Sequence, residues 1–118
     1  MAGDIYSIDV RLENSSQTVS IVKDSIILSA IVSFKSRNHN EGGKSGEVKL
    51  LDNNDNYMHR FFYKRNDRGQ DWESIELPIK KHKLNAGEQL QFIAHCERPP
   101  EDRTYFNAKI TLMEVWTW

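Results

Sequence analysis

The chain has 118 residues, of which 38% are hydrophobic, so it can form one domain with its own core over residues 1–118 and has little room for a second. Its formal net charge of -1 provides no long-range attraction to nucleic acid or to an acidic membrane, so neither is expected as a partner. The single cysteine, Cys96, excludes an internal disulfide framework and is expected to be a small buried thiol.

The sequence shows no signal for membrane insertion or secretion. No segment approaches the roughly 18 consecutive apolar residues of a membrane-spanning helix. Residues 1–4, Met-Ala-Gly-Asp, have neither the basic start nor the apolar run of a signal peptide. These observations predict a cytoplasmic protein or one that is released by a non-classical route.

The first half of the chain is predicted to form strands, because apolar and polar residues alternate with a period of two. Residues 6–12 and 18–23 form the first two strands. Residues 26–35 have apolar side chains on both faces, with Ile27 and Ile31 on the face that alternation directs away from the core. A strand of this kind is expected at the centre of a sheet, and its β-branched residues favour a strand over a helix.

The longest loop is predicted at residues 36–46, which include three glycines. Residues 47–51 and 57–64 then form a hairpin around the turn formers of residues 52–56. Alternation along the second arm predicts an aromatic row on one face, made of Tyr57, His59, Phe61 and Tyr63.

Three further strands are predicted in the second half, at residues 72–79, 90–96 and 105–118. Pro78 places the end of the first of these at a sheet edge or at the strand's end. About eight short strands separated by turn signals predict an all-β, two-layer antiparallel sandwich. A jelly roll is the first choice of topology, and an immunoglobulin-like Greek key is the alternative.

No nucleophile motif, metalloprotease motif or phosphate-binding glycine loop is found, so no enzyme activity and no cofactor are predicted. The four histidines lie on separate predicted elements; a metal site would need His59 and His95 on adjacent strands, with a third ligand. Calcium at the acidic turn 52–56 is the one cofactor alternative, although turn formation accounts for the same residues. The basic cluster 80–83 is expected to blunt a strand edge.

Three tryptophans are a large share for a short chain. Trp116 and Trp118 are in phase with the inward face of the last strand and are expected to close the bottom of the sandwich. The alternative is exposure, in which a tryptophan face stacks on a sugar ring or anchors a subunit interface.

The C-terminal half carries a pattern of short motifs. Residues 72–78 read Trp-Glu-Ser-Ile-Glu-Leu-Pro, residues 84–92 read Leu-Asn-Ala-Gly-Glu-Gln-Leu-Gln-Phe, and residues 106–115 read Phe-Asn-Ala-Lys-Ile-Thr-Leu-Met-Glu-Val. This half resembles galactose-binding-like jelly rolls, the fold of many carbohydrate-binding modules, with Leu84, Ala86 and Gly87 matching their turn. The resemblance implies a glycan-binding module, and it assigns no binding residue.

The leading hypothesis is a non-catalytic, lectin-like module that binds a glycan or another cell-surface ligand through rim loops and exposed aromatic side chains. Its candidate ligand-binding residues are Arg37, Asn38, His39, Asn40, Glu41, Tyr63 and Trp72. The alternative is a self-assembling structural subunit of the coat, phage-appendage or toxin type. Its candidate interface residues are Ile27, Ile31, Trp116 and Trp118. The two hypotheses are compatible, because multivalent lectins gain avidity as homo-oligomers.

Overall fold

The computed structural model of the chain describes residues 2–37, 42–97 and 103–115. Within these ranges all regular structure is β, as the alternating sequence pattern predicts, and none of it is helical. The strands are β1 (Ala2–Glu13), β2 (Ser16–Ser20), β3 (Ser25–Arg37), β4 (Lys44–Leu51), β5 (Tyr57–Asn66), β6 (Gln70–Glu76), β7 (Lys83–Leu84), β8 (Gln89–Cys96) and β9 (Arg103–Val115).

The strands form two antiparallel sheets. One sheet has the order β1-β9-β3-β6, with the short β7 paired to β3, and the other has the order β2-β8-β4-β5. With β7 set aside, the first strand pairs with the last, the second with the last but one, the third with β6, and the fourth with the fifth. This nested pairing is that of a jelly roll, the first choice of the sequence analysis.

The core lies between the two sheets and is dominated by aromatic and branched side chains. Phe34 on β3 is directly opposite Phe106 on β9, and both are fully buried. The facing sheet contributes Phe92, and the Phe62 ring stacks on that of Phe106 at 5.8 Å between centroids. Cys96 is buried on the same inner face, as predicted. Burial of these side chains is the main favourable term in the folding of such a sandwich.

A β-bulge in β3 changes which residues face the core. The register with β9 shifts between Ile27 and Ser29, so alternation is interrupted at that point. Ile27 is fully buried, and its predicted place on an exposed interface is therefore wrong. Ile31 lies beyond the bulge on the outer face and is 43% exposed. The central position predicted for this strand is confirmed, because β3 lies between β9 and β6.

Two further register shifts divide the aromatic row that was predicted on β5. Tyr57 and Tyr63 are opposite Leu51 and Glu47, on the outer face of their sheet, whereas Phe61 packs against the core. The prediction that all four aromatic side chains share one face is wrong, because each bulge adds a residue to β5 that has no partner on β4.

The sixth strand ends earlier than the sequence predicts. β6 stops at Glu76, before Pro78, which fits the inability of proline to donate to a strand ladder. The chain then turns back to form β7, which pairs with the start of β3 and was not predicted. The last strand, β9, is described to Val115; the predicted core positions Trp116 and Trp118 lie outside the described residues.

Gly46 is a sensitive position in this core, because a Cβ atom there would lie 2.6 Å from Cδ2 of Phe106. We expect Gly46→Ala to lower the free energy of unfolding by about 1–3 kcal/mol, the usual cost of overpacking. Ser45→Ala is the matched control, because Ser45 is the neighbouring position on the opposite face of β4. It should change the free energy by no more than about 0.5 kcal/mol. Urea denaturation measures both, and equal stability of the two variants would contradict this packing.

Candidate ligand-binding site

The nested topology brings the β1–β2, β3–β4 and β5–β6 connections to one end of the sandwich, which we call the rim. The β1–β2 turn contacts β9 there: Asn14 donates its backbone N–H to the carbonyl of Thr104 at 3.1 Å. The start of the β3–β4 connection contacts the β5–β6 turn, where Ser36 Oγ donates to the carbonyl of Arg68 at 2.9 Å. The end of β3 and the segment leading to Trp72 therefore lie at the same end of the molecule, and the predicted loop 36–46 is shorter in the structure because β3 extends to Arg37 and β4 begins at Lys44.

An ion-pair network fixes the rim around Glu97. One carboxylate oxygen of Glu97 accepts the backbone N–H of Gly43 at 3.0 Å, and the other accepts Arg65 Nη2 at 3.0 Å. Arg65 also donates through Nε to Asp67 at 3.2 Å. The Gly43 N–H and then the Arg65 charge hold the pKa of Glu97 below its ordinary value. Charge-assisted bonds of this kind order the connections that surround the site.

A polar cleft of about 450 Å³ opens beside the rim, and we call it the rim cleft. It is lined by Lys35, Ser36, Arg37, Gly69, Gln70, Asp71 and Tyr105. Lys35 is directly opposite Tyr105 in the β3–β9 pairing. Because their neighbours Phe34 and Phe106 are buried, alternation places both side chains on the outer face of the sheet.

An aromatic pair borders the rim cleft. The Trp72 ring on β6 lies 6.3 Å from the Tyr105 ring on β9, measured between centroids, at an interplanar angle of 50°. Trp72 is 48% exposed, so much of its indole remains open to a ligand. Both residues are on paired strands rather than on loops, and strands hold a ring more rigidly than loops do.

Hydrogen bonds also orient the polar side chains on the β6 side of the cleft. The Gln70 side-chain amide donates to Glu73, and its carbonyl oxygen accepts from Asn66. Glu73 in turn forms an ion pair with Lys64 on β5, which joins the edges of the two sheets. Gln70 is opposite the buried Ser36, so these bonds hold its amide toward the space between the sheets and fix the β6 edge of the cleft.

The structure places the predicted ligand-binding residues in different parts of the molecule. Arg37 lines the rim cleft and Trp72 borders it through Tyr105, so these two come together. Tyr63 lies on the outer face of the other sheet, where the guanidinium carbon of Arg60 is 4.7 Å from its ring centroid. The remaining predicted ligand residues, Asn38, His39, Asn40 and Glu41, lie outside the described residues.

Sequence reasoning missed Lys35, Gln70, Asp71 and Tyr105 as parts of the site. Lys35 follows the core residue Phe34, and Tyr105 precedes the core residue Phe106. Alternation alone therefore assigns both side chains to a surface. Alternation does not show that the two side chains lie on the same surface. Only the pairing of β3 with β9 brings the residues together, and those strands are far apart in the sequence.

His59 and His95 do not form the pair that the metal site considered above would need. β5 and β8, which carry His59 and His95, are separated by β4. His59 is opposite Leu50, whereas His95 is opposite Ser45 at the other end of β4. His59 instead stacks beside His82, with 6.5 Å between ring centroids. In the part of the chain that the structure describes, no group of three or more His, Cys, Asp and Glu side chains could hold a metal ion.

The acidic turn between β4 and β5 is closed by the side chain of Asp52. Its Oδ1 accepts the backbone N–H groups of Asn56 at 2.9 Å and Asn54 at 2.8 Å. These bonds, Asn56 first, lower the pKa of Asp52. The Asp52 carboxylate therefore stabilises the turn that the turn-forming residues of this segment predict. The prediction of no cofactor, with calcium at this turn as its alternative, stays a prediction.

Other clefts lie away from the rim, among them a small one of about 180 Å³ beside Ile31 and two larger ones. One, of about 520 Å³, is on the outer face of the second sheet, lined by polar side chains and by Tyr57. The other, of about 290 Å³, is mainly apolar and lies between β1 and β2. The first is larger than the rim cleft, but neither contains a residue that the sequence predicted for ligand binding.

Comparison with known proteins assigns no family. No protein-family model matches the chain, and no curated protein matches it. Among solved structures, the chain is similar to one in "Structure of infectious bursal disease virus Gx strain", with a TM-score of 0.37 and 8% sequence identity. The match covers 93% of this chain and 31% of that chain, and a likeness of this strength carries no argument about function. The resemblance to galactose-binding-like modules therefore stays a prediction.

The Glu97 network predicts a dependence of stability on pH. A carboxyl whose pKa is lower in the folded state stabilises the fold above its unfolded pKa, ordinarily 4.5, and loses this effect as the pH falls through the folded value. We therefore expect Glu97→Gln to be less stable than the native chain at about pH 7, and we expect this difference to be smaller at about pH 3. Denaturation at both pH values tests this, and a difference that does not change with pH would contradict it.

Proposed function

We propose that the domain is a non-catalytic recognition module that binds carbohydrate in the rim cleft. The observation that carries the proposal is the position of Arg37 beside the Trp72–Tyr105 pair, at one edge of the sandwich. A sugar ring offers an apolar C–H face and a border of hydroxyl groups. The rim cleft offers the matching surfaces, an open indole and several polar side chains.

The architecture supports binding at this position. Jelly rolls are used by lectins as well as by capsid proteins and cupins, so the fold permits the proposal without selecting it. The selection comes from the site. Lys35, Arg37 and Tyr105 project from paired strands on the outer face of their sheet. Polar groups held in this way fix the orientation of a bound ligand.

Glycan-array screening of the purified domain is the first test, with Trp72→Ala and Tyr63→Ala compared on every glycan that the native chain binds. Loss of the indole should weaken binding at least about fivefold, since stacking on an aromatic face contributes on the order of 1 kcal/mol or more. Tyr63→Ala removes an exposed aromatic ring from the other sheet and should leave affinity unchanged. An array without hits, or equal losses in the two variants, would contradict the proposal.

We propose as a second function the self-association of the domain, with a second copy of the chain seated against the open side between β1 and β2. Tyr6, Ile8, Val19 and Val22 line the apolar cleft there, and Val22 is 81% exposed. β1 and β2 are the edge strands of their sheets on this side. Two copies related by a two-fold axis would cover each other's apolar surface and exposed edges.

Sedimentation velocity of the native chain, Val22→Asp and Thr18→Asp tests this second function. A native dimer is expected, and Val22→Asp should return it to monomer because the aspartate would be buried without a partner. Thr18→Asp introduces the same charge on the outer face of β2 and should remain dimeric. A native chain that stays monomeric as its concentration is raised would rule out self-association.

A further inference from the structure

We infer that the ligand of the rim cleft is an acidic glycan, whose carboxylate or sulfate groups are bound by Lys35 and Arg37. The inference rests on the proposed function and names the chemical class that the same site would select. It is carried by the distribution of ion pairs around the rim, by the spacing of the two cations, and by the aromatic pair that borders them.

The basic residues around the rim fall into two groups. Three of them are neutralised by carboxylates of this chain: Lys64 by Glu73, Arg65 by Asp67 and Glu97, and Arg103 by Glu13. In contrast, Lys35 and Arg37 form no ion pair with any residue that the structure describes, although both line the cleft. Both cations that line the cleft therefore lack a carboxylate partner among the described residues, as does Arg68 in the neighbouring β5–β6 turn, which does not line the cleft.

The spacing of these two cations suits a chain-like anion. Lys35 and Arg37 are two residues apart on β3, so their side chains leave the same face of the sheet about 7 Å apart. Tyr105 is directly opposite Lys35, and Arg103 is directly opposite Arg37. A ligand that crosses this surface would meet two cations along one strand and an aromatic ring on the next.

Within the described parts of the chain, the acidic groups near the cleft do not cancel its charge. Asp71 is the one carboxylate among the lining residues, against the two cations. Glu13 lies on β1 opposite Tyr105 and forms an ion pair with Arg103. Glu73 forms an ion pair with Lys64 and accepts a hydrogen bond from Gln70. The lining is therefore cationic on balance even though the whole chain has a net charge of -1. Local charge of this sign favours an anionic ligand over a neutral one.

The aromatic pair distinguishes a glycan from a simple anion. A phosphate ion or an acidic peptide could satisfy Lys35 and Arg37, but neither requires the exposed indole of Trp72 beside Tyr105. A uronic acid or a sulfated sugar has both an anionic group for the cations and an apolar ring face for the indole. The combined surface is therefore best matched by an acidic sugar.

Calorimetric titration with matched polymers tests the inference. The probes are polygalacturonate against its carboxyl-reduced neutral form, dextran sulfate against dextran, and polyglutamate as an anion without sugar. The native chain should bind at least one acidic polysaccharide about tenfold more tightly than its neutral counterpart, and high salt should reduce this preference. The carboxylate and sulfate arms identify which anion is bound.

The variant Lys35→Gln/Arg37→Gln should remove the preference for the acidic polymer and retain the weaker binding of the neutral one. Its matched control is Lys80→Gln/Lys83→Gln, which removes two positive charges from exposed positions outside the rim cleft and should behave as the native chain. Circular dichroism of each variant verifies that it is folded.

The outcomes separate the inference from the proposed function. Equal binding of acidic and neutral polysaccharides would overturn the inference and leave carbohydrate recognition standing. Binding of polyglutamate as tight as that of the acidic polysaccharides, or an equal effect of the two double variants, would also overturn the inference. Binding of no polysaccharide at all, together with an empty glycan array, would overturn both.

Discussion

The pairing of Phe34 with Phe106 across β3 and β9 is the contact on which the rim cleft depends. Both rings are fully buried between the sheets, and Gly46 on the facing sheet leaves the space that Phe106 occupies. Because side chains alternate along a strand, burial of the two phenylalanines places Lys35 and Tyr105 on the outer face, directly opposite each other. A slip of one residue would bury a lysine in the core, so packing fixes the register and thereby the site.

The nested order of the strands explains why the site lies at the rim. β1 pairs with β9, and the strands between them in the sequence pair with one another in the same nested way. This order brings the β3–β4 and β5–β6 connections to one end. The bonds of Glu97 with Gly43 and Arg65 then join β8 to the start of β4 and to β5. Fold, ion pairs and candidate site are thus consequences of one topology, although the topology alone selects no ligand.

Much of the fold follows from local alternation, and the errors have local causes. The pattern predicts that β3 is a central strand and that the fold is a jelly roll. It misplaces Ile27 because a bulge shifts the alternation by one residue. Bulges in β5 likewise separate Tyr63 from Phe61. The sequence identifies Arg37 and Trp72 as candidates but cannot place them together, because β3 and β6 pair across a long stretch of chain.

The rim cleft is proposed to recognise a sugar through its cations and its aromatic pair. Mapping of backbone amide chemical shifts during titration with an acidic oligosaccharide such as trigalacturonate tests it most directly, because every part of the surface is observed at once. We expect the largest shifts at residues 35–37, 69–72 and 105. Shifts that are confined to the other sheet, or to the cleft between β1 and β2, would contradict it.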